Sequence, residues 1–199
     1  MTPLAIVSCM KNEGIHILEW LAYHRTIGFD LPVICTNDCE DGSDRLLDRL
    51  MDAGAATHLP NPLNPGDKPI HAGIARAMTH LQGTKAEWLA HLDSDEFLNI
   101  APGAAPVRDL IARAGEAHTI ALPWRSFGDN SHADWPGETL RAFTACEAAI
   151  DPDLVKFKSL FRFRAFRSAS DHMPTAPRIA NPKAVNSAGR ALAVTRVSP

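Results

Sequence analysis

The stretch Glu87–Ile100, "EWLAHLDSDEFLNI", runs from apolar residues straight into an acidic turn. Leu89, Ala90 and Leu92 read as a buried strand. Asp93, Ser94, Asp95 and Glu96 place charge where that strand must end, and Phe97 and Leu98 return at once to apolar character. Side chains alternate along a strand, so His91, Asp93 and Asp95 are expected on one face and Leu92 and Ser94 on the other. Neighbouring carboxylates at the edge of an apolar core repel one another and are costly to desolvate. A divalent cation relieves both difficulties, because Mg²⁺ and Mn²⁺ favour carboxylate oxygens and leave room for water and phosphate. A solvated Asp-Ser-Asp turn is the plainer reading; the position after a strand of an alternating pattern favours the metal.

That pattern extends on both sides of the turn. "LAIVSCM" (Leu4–Met10), "LPVICTN" from Leu31, "AATHLP" and "HTIALPW" are short apolar runs of the kind that form strands covered on both faces. Between them lie helical stripes. One is Ile15, Leu18, Leu21 and Ala22, stopped by Gly28; the second is Leu46, Leu47, Leu50 and Met51, with Asp41 or Ser43 as its cap. A third runs from about Pro69 to Leu81, and "APVRDLIARAG" makes a fourth, with Pro106 in its first turn. Alternating strands and helices predict an α/β domain with a mostly parallel sheet flanked by helices. Ligands in such sheets bind at the C-terminal strand ends, so "CMKNEG" (Cys9–Gly14), "NDCEDGS" (Asn37–Ser43) and the acidic turn are expected on one rim. After Trp124 the alternation stops, and "VKFKSLFRFRAF" suggests an added, more irregular C-terminal layer.

Composition narrows the class. The 199 residues are 45% hydrophobic with a formal net charge of -3, which suits one folded domain and gives little reason to expect nucleic acid as a partner. No long uncharged apolar run predicts a transmembrane segment. Cys9, Cys35, Cys39 and Cys146 form no zinc spacing; three of them lie in or beside apolar strand-like runs, where free thiols behave as small hydrophobes, which suits a reducing cytoplasm. The chain stops at "ALAVTRVSP" without an obvious closing element, so the tail either packs irregularly or the chain is a shortened version of something longer.

Residue chemistry on the rim leaves alternatives open. Lys11 suits a phosphate, while Asn12 and Glu13 suit a nucleoside, although Asn12 serves equally as a helix cap. Asp38 can accept hydrogen bonds from a base or ribose; Asp41, Gly42 and Ser43 are explained by helix initiation alone. There is no GxGxxG and no P-loop.

Taken in order, "KNE", "ILEWLAYHRTIGFD", "NDCEDGS" and "EWLAHLDSDEFL" resemble the glycosyltransferase family 2 type of the GT-A fold, in its branch related to family 92. "LPWRSFG", "VKFKSLFR", "HMP" (His172–Pro174) and "VNSAGR" (Val185–Arg190) are similar to later elements of that branch. Ser94 stands where the family usually has an apolar residue, and the chain ends before a segment the family usually carries.

The resemblance implies a metal-dependent glycosyltransferase that moves a sugar from a UDP- or GDP-sugar to a saccharide or other hydroxyl acceptor, with inversion. It implies Mn²⁺ or Mg²⁺ held by Asp95, with Asp93 on metal or ribose and His172 as a further ligand. Lys156, Lys158 and Arg162 are candidate diphosphate partners. Asp129, Glu138 and Asp171 are candidates for the base, and Trp124 and Trp135 for sugar stacking. His91 is expected to buttress the acidic turn. Residues 1–125 would form the nucleotide-sugar part and 126–199 the acceptor side of the same domain, in a bacterial, cytoplasmic setting. The rivals are a nucleotidyltransferase and a truncated or degenerate domain that binds nucleotide without turnover. A phosphatase is weaker, because Phe97 stands where such sites want a small hydroxyl residue.

Overall fold

The computed structural model describes residues 2–100, 106–148 and 156–192. The start of the "VKFKSLFRFRAF" segment at position 155 and the end of the "ALAVTRVSP" tail from 193 on lie outside the described residues. The elements follow in the order β1 (Leu4–Met10), α1 (Gly14–Thr26), β2 (Leu31–Thr36), α2 (Ser43–Asp52), β3 (Thr57–Pro60), α3 (Pro69–Leu81) and β4 (Trp88–His91). After these come α4 (Val107–Ala114), β5 (Thr119–Pro123), β6 (Phe157–Arg162), β7 (Phe166–Ala169), β8 (Pro174–Pro177) and β9 (Ala184–Asn186).

Seven strands form one sheet in the order β3-β2-β1-β4-β6-β5-β9. β1, the most apolar run, lies inside the sheet, parallel to β2 on one side and β4 on the other. Its alternate residues feed two cores. Leu4, Ile6 and Met10 pack with Ile17 and Trp20 of α1, Leu47 of α2 and Val107 of α4. Ala5 and Val7 pack with Ile74, Ala77, Met78 and Leu81 of α3 and with Phe161, Phe163 and Phe166. Both faces of the sheet are therefore covered, as near-continuous apolar strands require.

Two expectations are corrected. First, the stretch read as an added layer contributes β6, which inserts between β4 and β5 and runs antiparallel to both. Ser159, Leu160 and Phe161 are buried there, and the register sets Ala90 beside Leu160 and Leu122 beside Lys158. The irregular part that remains is the β7–β8 hairpin and the loops around it. Second, α1 turns a different face inward. Ile17, Trp20, Leu21 and His24 are buried, while Ile15 and Leu18 are exposed. α1 is apolar around most of its circumference, so periodicity alone does not choose the face. Trp20 chooses it by filling the core and donating its indole N–H to the Asp93 carbonyl at 2.9 Å. Among the described residues no helix is long and apolar enough to cross a membrane.

Candidate active site

The acidic turn is tightly built. β4 ends at His91, so strand alternation stops before the carboxylates. The Asp93 carbonyl accepts the Glu96 N–H at 3.1 Å, which closes a turn with Ser94 and Asp95 at its corner. In return the Glu96 carboxylate accepts the Asp93 N–H at 2.9 Å. This reciprocal pair fixes the chain and drives the side chains apart: Asp95 is exposed, Ser94 is buried and Glu96 is half-buried. Burial pushes the Glu96 carboxyl above the usual glutamate range. Asp93 and Asp95 therefore do not lie on one strand face as expected, yet both border the same cleft.

Lys158 sits against this turn. Its side chain is 2% exposed, and its ammonium lies 2.8 Å from Asp93 Oδ2 and 3.3 Å from Glu96 Oε2. The antiparallel seat of β6 places Lys158 at the mouth of β4, which the sequence pattern did not reveal. His91 lies beneath. Its Nδ1 is 3.1 Å from the Asp171 carbonyl, so that nitrogen carries the proton, and Nε2 is buried without a hydrogen-bond partner among the described residues, 4.0 Å from Asp93 Oδ1. Burial, then the Lys158 charge, lowers His91 to about 4, so it is neutral at pH 7. The expected buttress is not a hydrogen bond: the neutral ring lies beneath the turn, and its hydrogen bond goes to the Asp171 carbonyl.

The turn forms part of the border of a cleft of about 1220 Å³. The wall opposite comes from the loop that follows β5, with Trp124, Phe127, Trp135 and Phe143. That loop is tied to α1. Glu19 accepts the Thr139 N–H at 2.7 Å and the Leu140 N–H at 3.0 Å, and His16 meets Trp135 edge to face at 4.8 Å. Phe127 and Trp135 remain exposed, which leaves aromatic faces open to a ligand. Glu19 and His16 were missed because both read as ordinary positions on a helix surface.

The neighbouring rim carries Asn12 and Asp38, each two residues beyond the end of its strand. Both have left-handed backbone conformations, with φ of 58° and 48°, a strain found at positions fixed by their surroundings. Asn12 does not cap α1. Its Oδ1 accepts the backbone N–H groups of Glu40 and Asp41, at 2.7 and 3.4 Å, which ties the β1–α1 loop to the β2–α2 loop. Asp41 closes the tie by accepting the Gly14 N–H at 3.0 Å, and it also accepts the Ser43 N–H at 2.9 Å. Glu13 lies 4.0 Å from His16, and Asp38 accepts a hydrogen bond from Asn37. None of Asn12, Glu13 and Asp38 borders the aromatic cleft; they line a separate part of the same sheet edge.

Of the other candidates, Asp129 borders the cleft but caps the Ser131 N–H on an exposed loop. Asp171, His172, Lys156 and Glu138 do not border the cleft. Lys156 is exposed and lies over the Trp124 ring, which also faces His172 at 5.4 Å. Arg162 is at the far end of β6, beside Trp88 and paired with Glu87, well away from the rim. His172 holds its Nδ1 3.1 Å from the Phe157 carbonyl and its Nε2 3.2 Å from Asp171 Oδ2.

The donor set fits a hard divalent ion only in part. Asp95 is exposed on the cleft, and the Asp171–His172 pair offers an oxygen and a nitrogen side by side. Asp93 has one oxygen committed to Lys158. Among the described residues no three His, Cys, Asp or Glu side chains converge in a ready-made cage.

No family model matches the chain. It is 30% identical over 168 residues to a glycosyltransferase family 92 protein of Ricinus communis, covering 83% of this chain and 29% of that protein. A glycosyltransferase family 92 protein of Oryza sativa is 26% identical over 152 residues, covering 73% of this chain and 25% of that one. The chain thus spans between a quarter and a third of the length of these curated relatives. The resemblance read from the motifs is borne out. Both relatives are plant proteins, so the expected bacterial setting finds no support in them. Among solved structures, the mannosyltransferase PcManGT of Pyrobaculum calidifontis, in complex with GDP-Man and Mn²⁺, superposes with a TM-score of 0.44 at 16% identity, over 59% of this chain and 34% of that one. TarS of S. aureus in complex with UDP gives 0.45 at 15% identity over the same shares. A 4-diphosphocytidyl-2C-methyl-D-erythritol synthase gives 0.48 at 14% identity, over 84% and 78%.

Proposed function

We propose that this relative of the family 92 glycosyltransferases transfers a sugar from a nucleotide-diphosphate donor to an acceptor hydroxyl. The observation that carries the reading is the rigid acidic turn Asp93–Glu96 at the border of a large aromatic-walled cleft, at the C-terminal end of a parallel strand. Such strand ends are where α/β sheets bind nucleotides.

In this reading Asn12, Glu13 and Asp38 face the nucleoside, with their backbones held by the Asn12–Asp41 tie. Asp95 and His172 would hold Mn²⁺ or Mg²⁺, which would supply positive charge to the departing diphosphate. Lys156 and Lys158 stand on the diphosphate side. The acceptor enters the aromatic cleft, where Trp124 and Trp135 offer ring faces for a saccharide. Transfer is a single inverting displacement, in which the acceptor oxygen attacks the anomeric carbon as the bond to phosphate breaks, and the hydroxyl proton passes to a carboxylate base for which Asp129, Glu138 and Asp171 are the candidates. Residues 1–125 are then the donor side and 126–199 the acceptor side of one domain.

A second reading is favoured by one contact. Lys158 already neutralises Asp93, as expected of a domain that binds nucleotide without turnover. One calorimetric series separates the two: UDP-, GDP- and CMP-sugars with and without Mn²⁺, repeated with Asp95→Asn, alongside an assay for released nucleotide diphosphate. Binding strengthened by Mn²⁺, with the gain lost in the variant and diphosphate released, supports the transferase. Binding without release supports the second reading. Failure of every nucleotide to bind removes both.

A further inference from the structure

Lys158 is a buried ammonium whose two carboxylate partners, Asp93 and Glu96, leave one of its three N–H donors without a partner among the described residues. It borders the cleft, with the Trp124 ring 5.8 Å from its nitrogen. Burying a lysine is costly unless the charge is paired and used. Pairing alone needs one carboxylate, yet here the ammonium is held at a fixed point between two. Three carboxylates, Asp93, Asp95 and Glu96, share the turn, and among the described residues Lys158 is the cation paired with it. At Asp93 it takes up one of the two carboxylate oxygens, Oδ2, at 2.8 Å.

We infer that Lys158 is a resident cation of the diphosphate subsite: its third N–H receives the β-phosphate, so that this chain binds nucleoside diphosphates in part without a divalent ion. The inference rests on the nucleotide-sugar reading above and deepens it by dividing the charge. Lys158 serves the diphosphate beside Asp93, and the ion enters by way of Asp95. The place of the lysine follows from the fold. β6 runs antiparallel between β4 and β5, with Leu160 beside Ala90, so the residue two before Leu160 projects on the same face, just past the end of β4. Its flexible stem is packed away, and the ammonium is pre-positioned, so little ordering entropy is lost when a phosphate arrives. Trp124 supplies a ring face that suits a cation and disfavours competing water.

The test is titration of UDP and GDP into the full chain in EDTA and then in Mn²⁺, by calorimetry and by Trp fluorescence, which Trp124 reports locally. The wild-type chain is expected to bind diphosphate in EDTA, more weakly than in Mn²⁺ by about tenfold. Lys158→Met is expected to lose binding in EDTA by about tenfold or more while keeping the gain from Mn²⁺, and Lys158→Arg to restore it. Asp95→Asn is expected to lose the gain from Mn²⁺. Should Lys158→Met fail to fold, wild-type binding in EDTA still decides, because its absence overturns the inference without any variant. Wild-type binding that is strictly Mn²⁺-dependent overturns the inference and leaves the glycosyltransferase reading standing, as does EDTA binding indifferent to Lys158→Met. No diphosphate binding under any condition overturns both.

Discussion

The Glu19 carboxylate receives the Thr139 N–H at 2.7 Å across a sequence gap of 120 residues, and the Leu140 N–H at 3.0 Å beside it. One side chain on α1 thereby fixes the aromatic wall of the cleft, a loop with little regular structure of its own.

Glu19→Ala is expected to free this wall while leaving the sheet intact. Limited proteolysis within the loop after Trp124 should accelerate several-fold, with far-ultraviolet circular dichroism unchanged. Burial pushes the Glu19 carboxyl up, but the Leu140 and Thr139 N–H groups outweigh it and hold the pKa below the ordinary value. The latch is therefore complete at neutral pH and is lost as pH falls through that depressed pKa. Unchanged cleavage in the variant would show that the aromatic contacts, Trp135 against His16 and Phe143, hold the wall without Glu19.

Gly73 marks where α3 lies closest to the sheet. A Cβ at this position would stand 2.4 Å from Cys9 Sγ and 3.2 Å from Cys35 Cβ. The helix would gain from alanine, by about 1 kcal/mol, but overpacking costs about 1–3 kcal/mol, and here the backbone-proximal Cys35 Cβ gives little room. Gly73→Ala is expected to lower stability by about 1–2 kcal/mol in urea unfolding. Cys9→Ala combined with it should recover at least half of that loss. A stable single variant would mean that Cys9 simply rotates away.

Low pH weakens the fold through two histidines. Burial lowers His24 to about 4, and burial with the Lys158 charge does the same for His91, while an unfolded histidine titrates near 6.5. Between those values the unfolded chain takes up protons that the folded chain refuses. Stability is therefore full above about pH 6.5 and falls as pH drops toward 4, by at most about 1.4 kcal/mol per pH unit for each histidine. His24 stacks on Phe97 and touches Trp20, Tyr23 and Phe29, so His24→Phe keeps the packing and removes one titration. Urea midpoints at pH 7, 6 and 5 should show a shallower decline in that variant. Equal slopes would assign the acid sensitivity elsewhere.

These sites show why some features were legible in the sequence and others were not. β1 through β5 were readable because each is a short apolar run ending in turn chemistry, and α3 was found from Pro69 to Leu81 because its stripe is regular. The acidic turn was readable as a cluster of charges, and its place at a strand end follows from the alternation. The place of β6 is not legible, because an antiparallel strand added late in the chain carries no local mark of which strands it joins. Its neighbours decide that, and with it the burial of Lys158. Periodicity does not pick the inward face of α1, because the exposed Ile15 and Leu18 are as apolar as the buried Ile17 and Leu21. Long-range pairings such as Asn12 to Glu40 are invisible for the same reason.

Asn12 combines two demands that substitutions can separate. Its backbone is left-handed at φ 58°, which glycine tolerates and alanine resists, while its Oδ1 accepts the Glu40 and Asp41 N–H groups across the rim. Asn12→Gly removes only the acceptor; Asn12→Ala removes the acceptor and adds strain, so alanine is expected to be the less stable by about 1 kcal/mol in denaturant unfolding. Both variants release the β2–α2 loop, and both are expected to weaken nucleotide binding by about the same factor, near tenfold if the two lost hydrogen bonds set the loop's position. That equality is the discriminating result. If affinity instead follows stability, with glycine close to wild type, the left-handed backbone rather than the side-chain tie positions the nucleoside rim.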